Sequence, residues 1–445
     1  MDTLTQSNTA DLAVNGGPKT VTGFEGIGEP KIGVEEYLAL GKRFGFTPEA
    51  IERVAATISN DDLQGDGPNF GTYATSFPKP SSGSQYEAKA RELFGSPYAL
   101  GTSSGTGALH SAMIACGAKP GKEVIVASVG FMATAAAVAL TGATPVFCDI
   151  DESMQLDPTK LEACITPNTV AVAPTHHWGQ LADMDPILEI AARHGLKVIE
   201  DCAQSPGAQY KGRFVGTIGD IGCFSISAYK IIGGGEGGLL LAKDEKLFDR
   251  ANQLAECGGL WRENRFSEAR YDGELFIGTN YRMSELESTV DTVQLGKLEG
   301  IVTRYRNNYL RIVSQLEKFS EIVPQKVNDV EGLIGYQLRF FPQTHELSAE
   351  LSKALQAEGV PAGTRGLNGR ADWHVCSEMF PVTTTLGAVT RYDQCLVGPD
   401  LYRREISMGV NQWWTEADCD AVAAGLNKVF NAYCTPDENA KPWLP

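Results

Sequence analysis

Residues 224–230 read FSISAYK and residues 233–238 read GGGEGG, so Lys230 stands between a serine and a run of glycines. A lysine amine can bond covalently to an aldehyde, and Ser225 can help to bind the phosphate of an aldehyde cofactor. The neighbours of Lys230 are apolar or glycine, which argues against a simple solvated lysine, although the glycines would also suit a plain turn before a strand. Lys230 is therefore the predicted catalytic residue, and the fold is predicted from the sequence around it.

Strands and helices alternate in the sequence that leads up to Lys230. The strands are short, continuously apolar runs, which indicates burial on both faces. This alternation predicts an α/β domain with a mostly parallel central sheet covered by helices. Strands are predicted at residues 98–100, 124–126, 145–148, 170–173, 197–200, 223–227 and 238–241, and helices at residues 104–116, 133–140, 245–256 and 284–298, with two more beginning near residues 157 and 185.

The chain divides into three predicted segments. Residues 1–85 form an irregular N-terminal arm rich in Gly and Pro, with one helix at about residues 47–58, because Thr47 and Pro48 suit a helix start. Residues 86–305 are the large α/β domain. Residues 306–445 are a smaller C-terminal α+β domain, with helices at residues 309–318, 348–357 and 415–431 and a strand at residues 336–341.

Composition and charge limit the class of protein. The chain has 445 residues, of which 42% are hydrophobic and 21% charged, values ordinary for a globular protein of two or three structural units. Its net charge of −17 argues against a general nucleic-acid binder, whose surface is basic, and disfavours binding to an anionic membrane. We therefore expect no nucleic-acid or membrane partner.

The cysteines and the N-terminus indicate the compartment. Ten cysteines are scattered along the chain without a Cys-x-x-Cys motif, a pattern typical of reduced thiols. Residues 1–13 are polar and acidic and have no apolar core of the signal-peptide type, and no apolar run approaches the length of a membrane span. We expect a cytoplasmic protein.

Residues that follow the predicted strands can form a site, because ligands of open α/β sheets bind beyond the carboxyl ends of the strands. Ser104, Gly105 and Thr106 open a helix whose free N–H groups can bind a phosphate; a plain helix cap is the alternative. Phe131 can stack on a ring or pack in the core. Asp201 can stabilise a cation such as a protonated pyridine nitrogen; a helix cap or a structural salt bridge is the alternative.

Further polar residues follow the fourth and fifth strands. His176, His177 and Trp178 come after the fourth strand, and Gln204 comes after the fifth. Neither histidine has a cysteine or a carboxylate at zinc-ligand spacing, so we expect no metal site. Small donors, an aromatic ring, histidines and a carboxylate are thus predicted to converge at one edge of the sheet.

Six segments together resemble the sugar aminotransferases of the DegT/StrS type, which are pyridoxal phosphate (PLP) enzymes of fold type I. The segments are residues 104–109 (SGTGAL), 142–146 (GATPV), 176–184 (HHWGQLADM), 200–204 (EDCAQ), 224–238 and 280–286 (NYRMSEL). Their order and spacing match over residues 86–300, and the C-terminal part matches loosely. The resemblance implies a fold type I large domain with a smaller C-terminal domain, and PLP as the cofactor.

The resemblance also implies roles for single residues. Lys230 looks like the Schiff-base lysine and proton shuttle, and Asp201 like the partner of the pyridinium nitrogen. The other residues implied to bind the cofactor are Ser104, Gly105, Thr106 and Ser225 at its phosphate, Phe131 on its ring, Gln204 at its ring hydroxyl, and Asn280. In the family, the residue that Asn280 matches reaches the site from a second subunit, which implies a homodimer with shared active sites.

Some positions depart from the pattern of the family. Ser227 stands where a histidine is usual, Trp178 replaces a tyrosine, and the small-domain strand at residues 335–339 lacks the customary histidine. An extra loop occupies residues 69–85. These departures lie mostly where the acceptor substrate would bind.

The resemblance implies transfer of an amino group from L-glutamate or L-glutamine to a keto-sugar, free or nucleotide-linked, or to a keto-cyclitol, in amino-sugar or natural-product biosynthesis. Candidate substrate-binding residues are His176, Trp178, Arg262, Arg265 and Arg365; a solvated surface position is the alternative for each arginine. A PLP-dependent dehydratase or lyase and a non-catalytic PLP-binding regulator are the alternative functions. The lysine at position 230 favours amino transfer over dehydration, and the lack of a basic DNA-binding module disfavours the regulator.

Overall fold

The computed structural model describes residues 9–23, 30–64, 70, 81–259, 262, 264 and 266–445. Residues 1–70 form one compact unit and residues 71–445 another. Within the described residues, no helix has both the length and the apolar character needed to cross a bilayer.

The described part of residues 1–70 holds two α-helices, α1 (Val34–Arg43) and α2 (Pro48–Ala55). The start of α2 is the predicted one, since the Thr47 side chain accepts a hydrogen bond from the Ala50 N–H and Pro48 occupies the first turn. The prediction of a single helix in the arm is wrong, because α1 also forms. Its N-cap is Gly33, which has no side chain, so the start of α1 lacks the signal that marks α2.

Helix α3 (Ser82–Phe94) begins the second unit and corrects the reading of residues 82–85 as irregular. Ser81 caps it by accepting a hydrogen bond from the Ser84 N–H at 3.0 Å. Tyr86, Ala90 and Phe94 recur every four residues and are buried, so one face of α3 packs on the domain.

A seven-stranded sheet forms the centre of this unit, in the order β1-β9-β8-β5-β4-β2-β3. Its strands are β1 (Tyr98–Thr102), β2 (Glu123–Ala127), β3 (Thr144–Cys148), β4 (Thr169–Ala173), β5 (Lys197–Asp201), β8 (Ile221–Ser225) and β9 (Gly238–Ala242), and a short hairpin, β6 (Gln209–Tyr210) with β7 (Arg213–Phe214), precedes β8. All seven sheet strands were predicted. Strands β3, β2, β4, β5 and β8 are parallel, whereas β9 is antiparallel to β8 and β1. The mostly parallel sheet is confirmed.

Helices cover the sheet, as the alternation predicts. They are α4 (Gly105–Ala115), α5 (Ala133–Leu140), α6 (Pro158–Leu161), α7 (Met184–His194), α8 (Glu245–Ala255), α9 (Glu285–Leu295) and α10 (Leu298–Val313). The prediction of a separate helix at residues 309–318 is wrong, because residues 309–313 form the end of α10. Helix α10 buries Ile301 and Val302 near its start and Tyr309, Ile312 and Val313 near its end, and it spans the proposed domain boundary at residue 305.

A four-stranded antiparallel sheet forms the smaller C-terminal domain, in the order β10-β11-β13-β12. Its strands are β10 (Ile322–Pro324), β11 (Gln337–Pro342), β12 (Ala362–Gly363) and β13 (Ile406–Gly409), and its helices are α11 (His345–Ala357), α12 (Phe380–Leu386), α13 (Val397–Arg404) and α14 (Glu416–Tyr433). Phe340, Leu351, Leu426 and Phe430 are buried together in its core. The predicted α+β character of this part is confirmed.

Candidate active site

Lys230 lies in the loop that joins β8 to β9. Backbone hydrogen bonds hold this loop, from Ile226 N–H to Gly237 O, from Ala228 N–H to Gly235 O and from Lys230 N–H to Ser227 O, each 2.9 Å long. The Lys230 side chain is half-buried. Burial lowers its pKa below the usual value, although the nearby Asp201 carboxylate acts in the opposite direction. A larger fraction of the amine is therefore uncharged and nucleophilic than on a solvated lysine.

Asp201 ends the central strand β5 and is only 4% exposed. Its Oδ2 accepts a hydrogen bond from the Thr134 hydroxyl at 2.5 Å, and its Oδ1 accepts one from the Ala203 N–H at 3.0 Å. No ion pair to Asp201 forms among the described residues. Because a buried carboxylate is costly without a cation, this site fits a protonated ring nitrogen of a bound cofactor. The sequence analysis did not predict a role for Thr134. Its position three residues after Phe131, on one helical turn, would have indicated that the two side chains lie close together.

The start of α4 and the end of β8 meet in a candidate phosphate site. Ser104 caps α4, since its Oγ accepts a hydrogen bond from the Gly107 N–H at 3.0 Å. Gly105 lies so close to Ser225 that a Cβ at position 105 would be 2.7 Å from the Ser225 Cβ. Thr106 in the first turn is exposed. The helix N-terminus and the Ser225 hydroxyl can therefore bind one phosphate group together.

Replacing Gly105 with alanine tests this close approach. We expect the free energy of unfolding to fall by about 1–3 kcal/mol, because the new methyl group must displace Ser225. We also expect weaker binding of the cofactor phosphate, measured as an increased dissociation constant for PLP. Gly409→Ala is the matched control, since a Cβ there meets no atom within 4 Å and should change neither quantity. Unchanged stability and affinity in Gly105→Ala would contradict the site.

Phe131 and Gln204 lie at the same edge of the sheet. Phe131 is 45% exposed, so it is not a core residue, and it lines a concavity with Gly130, Thr134 and Thr175. Gln204 Oε1 accepts a hydrogen bond from the Trp178 N–H at 3.1 Å. An exposed aromatic ring beside Asp201 can stack on a planar cofactor.

Asn280 is exposed. Its Oδ1 accepts a hydrogen bond from the Arg282 N–H at 3.1 Å. Among the described residues, its side chain makes no hydrogen bond to Lys230, Asp201 or Ser225.

His176 is completely buried, and both of its ring nitrogens have partners. Nδ1 accepts a hydrogen bond from the Ala182 N–H at 3.2 Å, so Nε2 carries the proton and donates to Glu200 at 3.0 Å. Burial favours the neutral form of Glu200, but hydrogen bonds from His176 and from backbone N–H groups outweigh it and lower the pKa of this carboxyl. His176, Glu200 and Cys202 have the spacing of metal ligands, yet the histidine nitrogens are already used. His176 thus supports the fold beneath the site and has no nitrogen left for a substrate.

Trp178 has a left-handed backbone, with φ of 56°, which is rare for a bulky residue and is found at functional sites. The turn places its indole 3.3 Å from the His177 ring, measured between ring centroids, and 3.3 Å from the Arg339 guanidinium carbon. Arg339 forms a buried ion pair with Glu405 at 2.9 Å, and its Nη1 has no partner among the described residues. Sequence reasoning missed Arg339, which takes part in this cluster from β11.

The three candidate arginines have different positions. The Arg262 guanidinium donates to the Ser267 O, the Ser267 hydroxyl and the Glu268 O, so it holds its own loop. Arg365 pairs with Asp372, which also accepts hydrogen bonds from His374 and Tyr402. Arg265 lies outside the described residues, as do residues 71–80 of the extra loop. Of the three, Arg365 is the one that pairs with the same carboxylate as His374.

Comparison with known proteins gives a consistent result. Residues 79–427 match the DegT/DnrJ/EryC1/StrS aminotransferase family. The chain is 34% identical to a GDP-perosamine synthase of Caulobacter vibrioides over 78% of this chain and 89% of that protein. It is 32% identical to a putative L-glutamine:3-amino-2,3-dideoxy-scyllo-inosose aminotransferase of Streptomyces kanamyceticus, over 70% of this chain and 74% of that protein.

The fold is also similar to that of solved aminotransferases. The structure of S. venezuelae DesV in complex with a ketimine intermediate is 26% identical, covers 89% of this chain and 96% of that chain, and gives a TM-score of 0.64. The α/β large domain with a smaller C-terminal domain is therefore the fold type I architecture that the resemblance implied.

Proposed function

Since the chain belongs to the DegT/DnrJ/EryC1/StrS aminotransferase family and is therefore an enzyme that transfers amino groups, we propose that it uses PLP to aminate a keto-sugar or a keto-cyclitol. L-Glutamate or L-glutamine is the proposed donor. The observation that carries the proposal is the buried Asp201 carboxylate, which forms no ion pair among the described residues, at the edge of the sheet that also holds the half-buried Lys230.

Residues of this chain fit each part of the cofactor. Ser104, Gly105, Thr106 and Ser225 would bind the phosphate, and Phe131 would stack on the ring. Gln204 would bind the ring hydroxyl, and Asp201 would pair with the ring nitrogen. When bound, PLP supplies an aldehyde carbon that receives the amino group and a ring that takes up electron density.

Lys230 has two proposed tasks in the reaction. Its Nζ holds the cofactor covalently in the resting enzyme, which its lowered pKa favours because the uncharged amine is the nucleophile. With the donor bound, an uncharged Nζ would take a proton from the donor α-carbon. Asp201 would pair with the ring nitrogen, while Thr134 holds the orientation of its carboxylate.

The acceptor class is proposed from relatives of similar sequence. One is a GDP-perosamine synthase and another a putative aminotransferase of a scyllo-inosose derivative, so a polyhydroxylated ketone, nucleotide-linked or free, is the chemistry they share. The proposed role is in amino-sugar or natural-product biosynthesis. The ten free cysteines support a reducing compartment, and we propose the cytoplasm.

A single-turnover experiment tests the proposed function. L-Glutamate or L-glutamine, added in excess to the PLP-loaded enzyme, should convert the cofactor to its pyridoxamine form, followed by its absorption spectrum. A panel of keto-cyclitols and nucleotide-linked keto-hexoses should then restore the aldehyde form. Failure of the first step would contradict amino transfer, and release of a ketone product without an amino group in the second step would favour a dehydratase.

Asn280→Ala tests the proposed homodimer with shared sites. We expect the dissociation constant for PLP to rise about tenfold, because one hydrogen bond from the neighbouring subunit is lost. Equilibrium titration followed by absorbance measures the effect. Asn168→Ala, at an exposed position away from the site, should leave the dissociation constant unchanged.

Mixed dimers test directly whether the two subunits share their active sites. A dimer of one Lys230→Ala chain and one Asn280→Ala chain would contain one site with both wild-type residues. At limiting PLP, the mixture should therefore show more turnover than either variant alone. If mixing restores nothing, although mixed dimers are demonstrated by mass, Asn280 does not act across the interface.

A further inference from the structure

A segment of the smaller domain lies against the end of β2, next to the proposed cofactor ring. Val375 pairs with Val129, the Gly130 N–H donates to the His374 O at 2.9 Å, and the Cys376 N–H donates to the Ser128 O at 2.8 Å. These backbone contacts fix His374 beside Phe131, with 5.3 Å between their ring centroids. His374 is half-buried and therefore open to a ligand in the site.

Asp372 determines which nitrogen of His374 carries the proton. Asp372 Oδ1 lies 2.6 Å from His374 Nδ1, while its Oδ2 accepts a hydrogen bond from the Tyr402 hydroxyl at 2.8 Å. Burial alone would raise the pKa of the Asp372 carboxyl, but hydrogen bonds with His374 and Tyr402 outweigh it and lower that pKa. An ionised carboxylate only accepts hydrogen bonds, so Nδ1 carries a proton.

The other nitrogen, Nε2, is left as a hydrogen-bond acceptor. Burial lowers the pKa of His374 more than Asp372 raises it, so the ring is neutral. Nε2 makes no hydrogen bond to any part of the chain that the structure describes. A neutral ring with an unused lone pair binds an O–H or N–H donor of a ligand.

His177 provides a second, independent sign of a polar ligand. Its ring is completely buried, and neither ring nitrogen has a partner in the described structure. It stacks on His374, with 5.6 Å between centroids and 14° between planes, and burial lowers the pKa of both rings, with a smaller contribution from the charge of Lys230. Buried polar groups without partners are rare, and they indicate a water molecule or a ligand group that completes them.

The charges around this histidine pair, His177 and His374, argue for an uncharged ligand group. Arg365 is paired with Asp372, and Arg339 is paired with Glu405. The positive charges of both arginines are thus balanced by carboxylates of the chain itself. An ionised carboxylate has no hydrogen to donate to Nε2, whereas a hydroxyl group has the donor that Nε2 needs.

We propose that His374, oriented by Asp372, is a specificity-determining residue that accepts a hydrogen bond from a hydroxyl group of the acceptor ketone, next to His177. The inference rests on the proposed function, because it assigns a residue to the acceptor of that same site. The ligand of His374 would be a polyhydroxylated ketone, which is recognised through a hydroxyl group rather than through an anionic group.

Two ketones distinguish this role from a general structural one. The enzyme is first converted to the pyridoxamine form with L-glutamate. It is then mixed with one of two ketones. The first is a polyhydroxy ketone that the wild type aminates, and the second is 2-oxoglutarate, which has no alcohol hydroxyl group. In His374→Ala, the concentration of polyhydroxy ketone that gives half the maximal single-turnover rate should rise about tenfold to a hundredfold. The corresponding concentration of 2-oxoglutarate should change by less than about twofold.

Two further variants complete the test. His374→Gln should recover part of the lost affinity, since its side-chain oxygen can accept the same hydrogen bond. His194→Ala, a histidine paired with Glu162 on the surface, should behave like the wild type with both ketones. Equal losses for the two ketones in His374→Ala, or no loss for either, would overturn the inference. Failure of L-glutamate to charge the wild-type enzyme would instead contradict the proposed function.

Discussion

Replacing Lys230 with alanine lowers turnover by at least about 10⁴-fold, because the variant loses both the covalent hold on the cofactor and the base that moves the proton. The fold should survive, since Lys230 lies in a loop held by backbone hydrogen bonds that alanine can also make. We expect the thermal midpoint of the apoprotein to stay within about 2 °C of the wild type. Turnover assays and thermal unfolding measure the two quantities.

Lys353→Ala is the matched control for this prediction. Lys353 is an exposed lysine on α11, so its removal should leave turnover and the thermal midpoint unchanged. Lys230→Ala should still bind PLP through the phosphate site and Asp201, but without a covalent bond. Retained turnover in Lys230→Ala would contradict its catalytic role.

Asp201→Asn should lower turnover by about a hundredfold to a thousandfold, because the ring nitrogen loses the charge that keeps it protonated. Asparagine keeps the size of the side chain: its oxygen can accept the hydrogen bond from the Ala203 N–H, while its NH2 group donates to the Thr134 hydroxyl oxygen. The cofactor should therefore bind and attach to Lys230, with the loss confined to the proton-transfer step. Single-turnover rates with L-glutamate measure this step directly.

The apoprotein provides an internal check on the same residue. The buried Asp201 carboxylate has two hydrogen-bond donors and no ion pair among the described residues, so Asp201→Asn should not destabilise the apoprotein. Asp272→Asn, at an exposed carboxylate, should change neither the rate nor the stability. A single-turnover rate in Asp201→Asn equal to that of the wild type would show that Asp201 does not support the ring nitrogen.

Much of the large domain could be predicted because its signals are local. Continuous apolar runs mark the central strands, and Ser104 and Asp244 cap helices through their own side chains. The residues at strand ends then meet because parallel strands share one edge, which brings Lys230, Asp201 and Phe131 to the same side of the sheet. Local pattern and sheet geometry were therefore sufficient to predict that these three residues lie on the same side of the sheet.

The remaining site residues could not be predicted because they meet through long-range packing. His374 reaches Phe131 only because residues 374–376 pair with the end of β2, some 245 residues earlier in the chain. Arg339 reaches Trp178 only when β11 lies against the large domain. No local pattern marks either residue, and β11 reads as an ordinary apolar strand with one arginine.

Burial also decided between alternatives that the sequence left open. His176 was a candidate substrate residue, but the hydrogen bonds to Ala182 and Glu200 use both of its nitrogens. Arg262 likewise holds its own loop through Ser267. The sequence identifies which polar residues follow a strand, whereas hydrogen-bond partners determine which of them remain free for a ligand.

The central claim is a reversible covalent bond between Lys230 Nζ and the aldehyde of PLP. Borohydride reduction of the PLP-loaded protein, followed by proteolysis and mass spectrometry, tests it most directly. The account predicts a stable phosphopyridoxyl group on the peptide that contains Lys230 and on no other lysine. Absence of the adduct from that peptide, or its presence on a different lysine, would contradict the account.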